Sequence, residues 1–211
     1  MSLIHDDHPD LAALIGEGRV VAYFGYGSLV NRRTLRTRFL GIRRAEAAGW
    51  RRFWLPRPQP VPALLSVRPT DGFLIQGVIV YDLADHLPLV DEREAGYMRR
   101  VVTADRIVVE NPVAGDVPLF IYEASADEET ASQAGAFILQ SYLDAVMQGF
   151  HALYGRKGLE RFVEETEGFH TAVLQDRHAP RYPRPVELEE GEAALFDALV
   201  SARGATHLPL A

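Results

Sequence analysis

Apolar and polar positions follow two rhythms along this chain. Leu11, Leu14 and Ile15 recur at helical spacing between Asp10 and Glu17 and stop at Gly18, which predicts one short helix. Val20-Val21-Ala22-Tyr23-Phe24 is a β-branched and aromatic run cut off by Gly25 and Gly27, the pattern of a strand feeding a tight loop. From Ala45 to Glu123 the strand rhythm dominates: Trp50 to Trp54, Ala63 to Arg68, Phe73 to Tyr81, Arg99 to Val109 and Leu119 to Tyr122, parted by Pro, Gly and Asp clusters. Ala84 to Glu94 interrupts them as a short helix, with Pro88 in its first turn, where a missing N–H is harmless.

After Ala126 the three- and four-residue steps return. Phe137, Ile138, Ser141, Tyr142, Ala145, Val146 and Gly149 share one helix, and Leu159, Phe162 and Val163 a second. Pro180-Arg181-Tyr182-Pro183-Arg184-Pro185 must be extended, and Val186 to Ala202 reads as a final helix that docks on the domain or serves a second subunit, so a homodimer stays open. Together these elements predict an α+β fold around a compact, barrel-like sheet.

Composition narrows the function. With 211 residues, 47% hydrophobic and 24% charged, the chain resembles an ordinary globular protein. Its apolar stretches are broken well before the roughly 18 residues of a spanning helix, and Met1 to Asp7 lacks the basic region and apolar run of a secretory signal. A cytoplasmic address without membrane contact is expected. A formal charge of -7 argues against a nucleic-acid partner; Arg51, Arg52 and Arg57 are the nearest approach to a basic patch. Without cysteine there is no thiol nucleophile, disulfide or thiolate metal site, so catalysis must run on oxygen or nitrogen groups. The seven histidines match no H-E-x-x-H box or helical pair, so no metal site is expected.

Two stretches carry chemistry. In Phe24-Gly25-Tyr26-Gly27-Ser28-Leu29, two glycines flank one residue after a strand, letting backbone N–H groups approach an anion or carbonyl. The dinucleotide fingerprint is ruled out because its third glycine would fall at Val30, and the nucleophile elbow because Ser28 lacks its flanking glycines. The glycines could equally serve only a tight turn. In the second stretch, helical spacing puts Leu87, Val90, Asp91 and Glu94 on one face and Glu92 on the other. A carboxyl partly withdrawn from water protonates more readily, which suits a general base that later acts as acid. The competing reading has Glu94 pinning the helix end through Arg99 or Arg100, with Asp91 as a brace. Trp50, Trp54, Phe73 and Tyr142 could line a pocket, yet aromatic residues in strands and on an apolar helix face are more often core, and they are left out of the expected site.

In order and separation, Tyr26-Gly27-Ser28-Leu29 and Val90-Asp91-Glu92-Arg93-Glu94 with Gly96-Tyr97 resemble the γ-glutamylcyclotransferase superfamily, over roughly Val20 to Tyr122. Arg93-Glu94-Ala95-Gly96-Tyr97 is similar to the glutathione-specific branch without its second glycine, and Leu139 to Asp144 looks like bacterial members. The resemblance implies a small mixed β-barrel with flanking helices, here residues 1–185, followed by a C-terminal helix and tail, 186–211. It implies a small-molecule γ-glutamyl substrate cyclised to 5-oxoproline with release of the attached amine, and no cofactor. Glu94 would be the acid/base; Tyr26, Gly27, Ser28, Leu29 and Tyr97 would hold substrate. The alternative is a non-catalytic binding protein for a γ-glutamyl or acidic metabolite.

Overall fold

The computed structural model describes residues 6–35, 38–57 and 62–210. A helix α1 (Leu11–Gly16) precedes strand β1 (Val20–Gly25), and two long strands follow, β2 (Gly41–Leu55) and β3 (Pro62–Leu83). β2 and β3 form an antiparallel hairpin from Gly41 opposite Tyr81 to Leu55 opposite Leu64. Its register breaks once, where Gly49, at φ 93°, faces the four residues of β3 between Pro69 and Leu74. The Asp71-Gly72 punctuation that suggested two strands is therefore a bulge inside one, which bends the ladder without ending it.

Helix α2 (Leu87–Arg93) comes next, entered through a 3-10 turn and carrying Pro88 in its first turn. It leads to β4 (Met98–Val101), β5 (Ile107–Val109) and β6 (Leu119–Glu123). The single strand expected over Arg99–Val109 is split by a 3-10 turn at Ala104–Arg106, so β4 pairs with β6 while β5 pairs with β2. β7 (Phe137–Leu139) is a strand where helical spacing predicted helix. Its parallel pairing with Pro62 and Ala63 of β3 and with β8 (Ala172–Gln175) outweighs the local periodicity, as tertiary context does for short apolar runs. β8 and the terminal strand β9 (His207–Pro209) gave no readable pattern.

Among the described residues the nine strands form one mixed sheet, whose ladders run as a path β4-β6-β1-β3-β7-β8-β9 with β2 and β5 attached through β3. Helices flank it. The long helix α3 (Gln140–Glu165) consists of two pieces joined at Gly155, whose φ of 66° breaks the helical geometry. From Gln140 to Phe150 every residue is buried, polar ones included, so this stretch is enclosed all round rather than amphipathic. Its polar side chains are met individually: Gln140 donates to Asp197 (3.1 Å), Asp144 accepts Arg177 through both oxygens (2.8 and 2.9 Å) and Gln148 donates to Glu192 (2.8 Å). Most of these partners come from α4 (Glu192–Ser201) and the segment before it, and Phe196 and Val200 of α4 enter the main core. No helix among the described residues is long and apolar enough to cross a membrane.

Candidate active site

Where β1 ends, the chain turns sharply and a side chain at Gly25 would force a neighbour to shift, while one at Gly27 would be tight. A Cβ on Gly25 would stand 2.9 Å from Leu29 Cβ and 3.0 Å from Val78, and one on Gly27 would come within 3.3 Å of the Tyr142 hydroxyl. The turn continues as a 3-10 turn at Ser28–Val30, in which the Val30 N–H donates to Gly27 C=O and the Asn31 N–H to Ser28 C=O (both 3.0 Å). The amides of Gly27, Ser28 and Leu29 lie ahead of that ladder, and helical geometry gives them no acceptor of their own.

The turn is clamped from behind. Asn31 Nδ2 donates to Ala145 C=O on α3 (2.7 Å), Thr34 Oγ1 donates to Ser28 C=O (2.6 Å), and α3 comes so close that a Cβ on Gly149 would lie 2.7 Å from Asn31 N. Rigid support of this kind keeps backbone donors aimed at a fixed point.

The facing wall is α2 and its exit. Val90 sits in the core, Asp91 and Glu94 are half-buried and Glu92 is exposed, as the helical spacing requires. The Tyr97 N–H donates to Glu94 C=O (3.0 Å) across a bend whose Gly96 holds φ 95°. Glu94 Oε1 accepts Arg93 Nε at 2.9 Å, and the side chain keeps 26% of its surface exposed. The pairings considered from sequence, Arg99 or Arg100, are taken elsewhere. Arg99 meets Asp91 and Arg100 meets Glu123, each at 2.7 Å. Asp91 also accepts the Tyr122 hydroxyl (2.7 Å), so it does brace the wall.

Between these walls lies a cleft of about 230 Å³. It brings together every residue singled out from the sequence: Tyr26, Gly27, Ser28 and Leu29 on one side, Glu94 and Tyr97 on the other. Its floor is phenolic. The Tyr26 hydroxyl donates to Tyr122 C=O at 2.8 Å. Burial pushes the Tyr26 hydroxyl far up, and the neighbouring Tyr97 and Glu94 push it further. Burial likewise raises Tyr97 against the opposing pull of Arg57, and raises Tyr142. At neutral pH these phenols therefore keep their protons and act as hydrogen-bond groups rather than bases.

Sequence reasoning missed part of the lining. Tyr142, read as core, is indeed buried but also faces the cleft, beside Tyr182 and Arg184 of the proline-rich segment. Arg57 is there too, its guanidinium 4.8 Å from the centre of the Tyr97 ring. The three arginines noted from sequence do not form a patch: Arg52 is fully buried between Phe150 and Phe162, and burial lowers its pKa to about 10. The proline-rich segment, expected to be extended, bends at residues 182–184, so no simple spacing in the sequence marks Tyr182 and Arg184 as neighbours in the cleft.

A family model described as "Gamma-glutamyl cyclotransferase, AIG2-like" matches residues 23–138, more than half of the chain. The chain belongs to that family. Within the match fall the turn, Arg57, Glu94 and Tyr97; beyond it fall Tyr142, Tyr182 and Arg184. No curated protein sequence matches the chain at a significant level. Among solved structures, a gamma-glutamyl cyclotransferase is similar at a TM-score of 0.52 and 14% identity, over 85% of this chain and 99% of that one. The uncharacterised human protein loc79017 is similar at 0.50 and 14%, over the same shares of the two chains. At such identity the likeness establishes the fold, a mixed sheet with flanking helices as in gamma-glutamyl cyclotransferases.

Proposed function

We propose that this cyclotransferase-family chain converts a γ-glutamyl compound to 5-oxoproline and releases the attached amine, with Glu94 as acid and base. The observation that carries the reading is the convergence of the Tyr26–Leu29 turn and Glu94 on one cleft, two features 65 or more positions apart in the chain.

The chemistry asks little beyond what is there. In a γ-glutamyl compound the α-amino nitrogen reaches its own γ-carbonyl, so the nucleophile is already tethered and positioning supplies much of the rate. Glu94, with one oxygen occupied by Arg93, takes a proton from the α-ammonium through the other. The freed nitrogen bonds to the γ-carbonyl carbon and closes a five-membered lactam. As the bond from that carbon to the leaving nitrogen breaks, Glu94 returns the proton there; the ring nitrogen sheds its second proton to the freed Glu94 carboxylate, which passes it to the released amine, so the products are the neutral lactam and an ammonium. The amides of Gly27 to Leu29 hold substrate oxygens, including the one that gains charge during attack, and the protonated Tyr97 hydroxyl positions the glutamyl half.

The test is 5-oxoproline release from glutathione, γ-glutamyl amino acids and γ-glutamyl amines by the wild type and by Glu94→Gln. Release that vanishes in the folded variant supports both the reaction and the role of Glu94. Silence of a folded wild type on every substrate, with ligand still bound, replaces this reading with a binding protein.

A further inference from the structure

Two buried carboxylates stand behind the lining of the cleft. Asp176, fully buried, accepts the Ser141 N–H (2.7 Å), the Ser141 hydroxyl (2.6 Å) and the Arg181 N–H (2.8 Å), and Ser141 Oγ in turn accepts the Tyr182 N–H at 3.2 Å. Those bonds fix the Tyr182–Arg184 side of the cleft. Asp82, near the end of β3, is buried on the α2 side. It accepts the Leu83 N–H (2.8 Å) and the Tyr23 hydroxyl (3.2 Å), and lies 2.8 Å from His86 Nδ1. Tyr23 is itself buried and lines the cleft. The cyclisation as written above uses none of these three side chains.

Their placement follows from α2. His86, Val90 and Arg93 are spaced four and three residues apart, so they share one side of the helix, and Val90 packs in the same core cluster as Tyr23. His86 thereby reaches Asp82, and Arg93, about a turn beyond Val90, lines the cleft with Tyr23. Burial pushes the Tyr23 hydroxyl far up, Asp82 pushes it further and Arg93 pulls it back. The phenol therefore stays protonated and feels a carboxylate and a guanidinium at once. Arg93 also donates to Glu94 Oε1 at 2.9 Å. One guanidinium is thus shared between Glu94, which it touches, and Asp82, one phenol away. Among the described residues the ion-pair partner of Asp82 is His86, 45% exposed, which carries charge only when protonated.

The other groups facing Glu94 are Tyr26 from the turn and Tyr97, with Arg57 against its ring. Beside Tyr23 stands Tyr122, bonded to Asp91, which in turn meets Arg99. The phenols and guanidinium groups hold their charge state across neutral pH and form a fixed background.

We propose that Asp82 is a positioning residue for the proton transfer: its charge, carried to Arg93 through the Tyr23 hydroxyl, draws on that guanidinium and keeps it from locking Glu94 in the ionised form. The assignment rests on Glu94 being the acid and base. A carboxylate paired with an arginine ionises readily but holds a proton poorly, and a second carboxylate that shares the arginine restores its affinity for the proton.

The test is a carbon-13 NMR titration of the Glu94 side-chain carboxyl in the ligand-free protein, its signal assigned by its loss in Glu94→Gln. Asp82→Asn, which keeps the shape and the acceptor for Tyr23, should lower the midpoint by about 0.5 to 1 pH unit, as for a neighbouring charge beyond direct contact. In an Arg93→Gln background the same change should move it by less than half as much. His86→Gln, which leaves Asp82 charged, should not lower it. An unmoved midpoint in Asp82→Asn overturns the proposal, as does a shift undiminished without Arg93, or an equal fall in His86→Gln, the mark of a loosened α2. Should Asp82→Asn fail to fold, Tyr23→Phe, which removes the hydroxyl between the buried charge and Arg93, should lower the midpoint in the same direction, and no movement there overturns the proposal as well. In turnover, Asp82→Asn should carry the acid limb of kcat down with the midpoint and lower the plateau about two- to threefold at unchanged KM, as for a weaker base. A wild type that releases no 5-oxoproline removes the cyclotransferase reading, and the titration still decides the coupling of Asp82 to Glu94.

Discussion

The lining of the cleft is made in different ways. The turn after β1 and the facing α2 wall are announced by local sequence, glycine punctuation and one face of a seven-residue helix, both inside the stretch shared with the family. The Tyr182–Arg184 wall has no regular secondary structure and is fixed by a buried polar clamp drawn from α3, from just after β8 and from the proline-rich segment. In the proposed reaction Glu94 and the turn amides act on the substrate, while Tyr182 and Arg184 complete the lining of the cleft. Local sequence thus sets the turn and the position of Glu94, and packing sets the position of Tyr182 and Arg184.

Damage to each wall should therefore read out differently. Glu94→Gln should lower kcat by about 10²- to 10⁴-fold, the usual worth of a positioned acid/base, with the thermal midpoint nearly unmoved because the side chain is partly exposed and ends a short helix. Asp176→Ala should do the opposite. It leaves buried donors unpaired and should cost about 2–3 kcal/mol, or roughly 4–12 °C in Tm for a chain of this size, and it should raise KM more than it lowers kcat. An Asp176 variant that lost kcat at unchanged KM would break the division of labour. Tyr97→Phe should reduce kcat/KM by about 3- to 10-fold, as for one neutral hydrogen bond, measured on the same substrates.

The smallest effect concerns pH. Burial tends to raise the Glu192 pKa, but hydrogen bonds from Gln148, from the Glu189 N–H and from His151 outweigh it and hold the carboxyl below its ordinary value of 4.5. A depressed carboxyl contributes stability that is complete above the unfolded pKa and is lost as pH falls through the folded one. Unfolding measured from pH 6 downward should therefore show an acid limb below about pH 4.5 that is shallower in Glu192→Gln. Because Glu192 caps the docking of α4 on α3 and does not line the cleft, 5-oxoproline release per folded molecule should not follow that limb.

Much of this was legible along the chain. A run such as Val20 to Phe24 ended by glycines has few conformations open to it, and the carboxylates Asp91 and Glu94 stand out on a helix face shared with Leu87 and Val90. The strands that escaped notice, β7, β8 and β9, have three or four residues each and are held by parallel pairing with distant partners. Phe137 and Ile138 fit a helix by spacing, and only the approach of Pro62, Ala63 and β8 makes them a strand. Tyr142 read as core because an apolar helical position does not reveal that one end of its ring reaches a cleft.

The sequence by itself determined the α+β class, the turn, the helix that presents Glu94 and the absence of any thiol, since each follows from residue identity and spacing within a few positions. Only the tertiary structure decided that α3 is buried all round from Gln140 to Phe150, that Arg93 rather than Arg99 or Arg100 pairs with Glu94, and that Arg57, Tyr182 and Arg184 share one cleft. Those outcomes depend on which of many arginines meets which carboxylate across long separations, and that competition is settled by packing and burial, which no local pattern records.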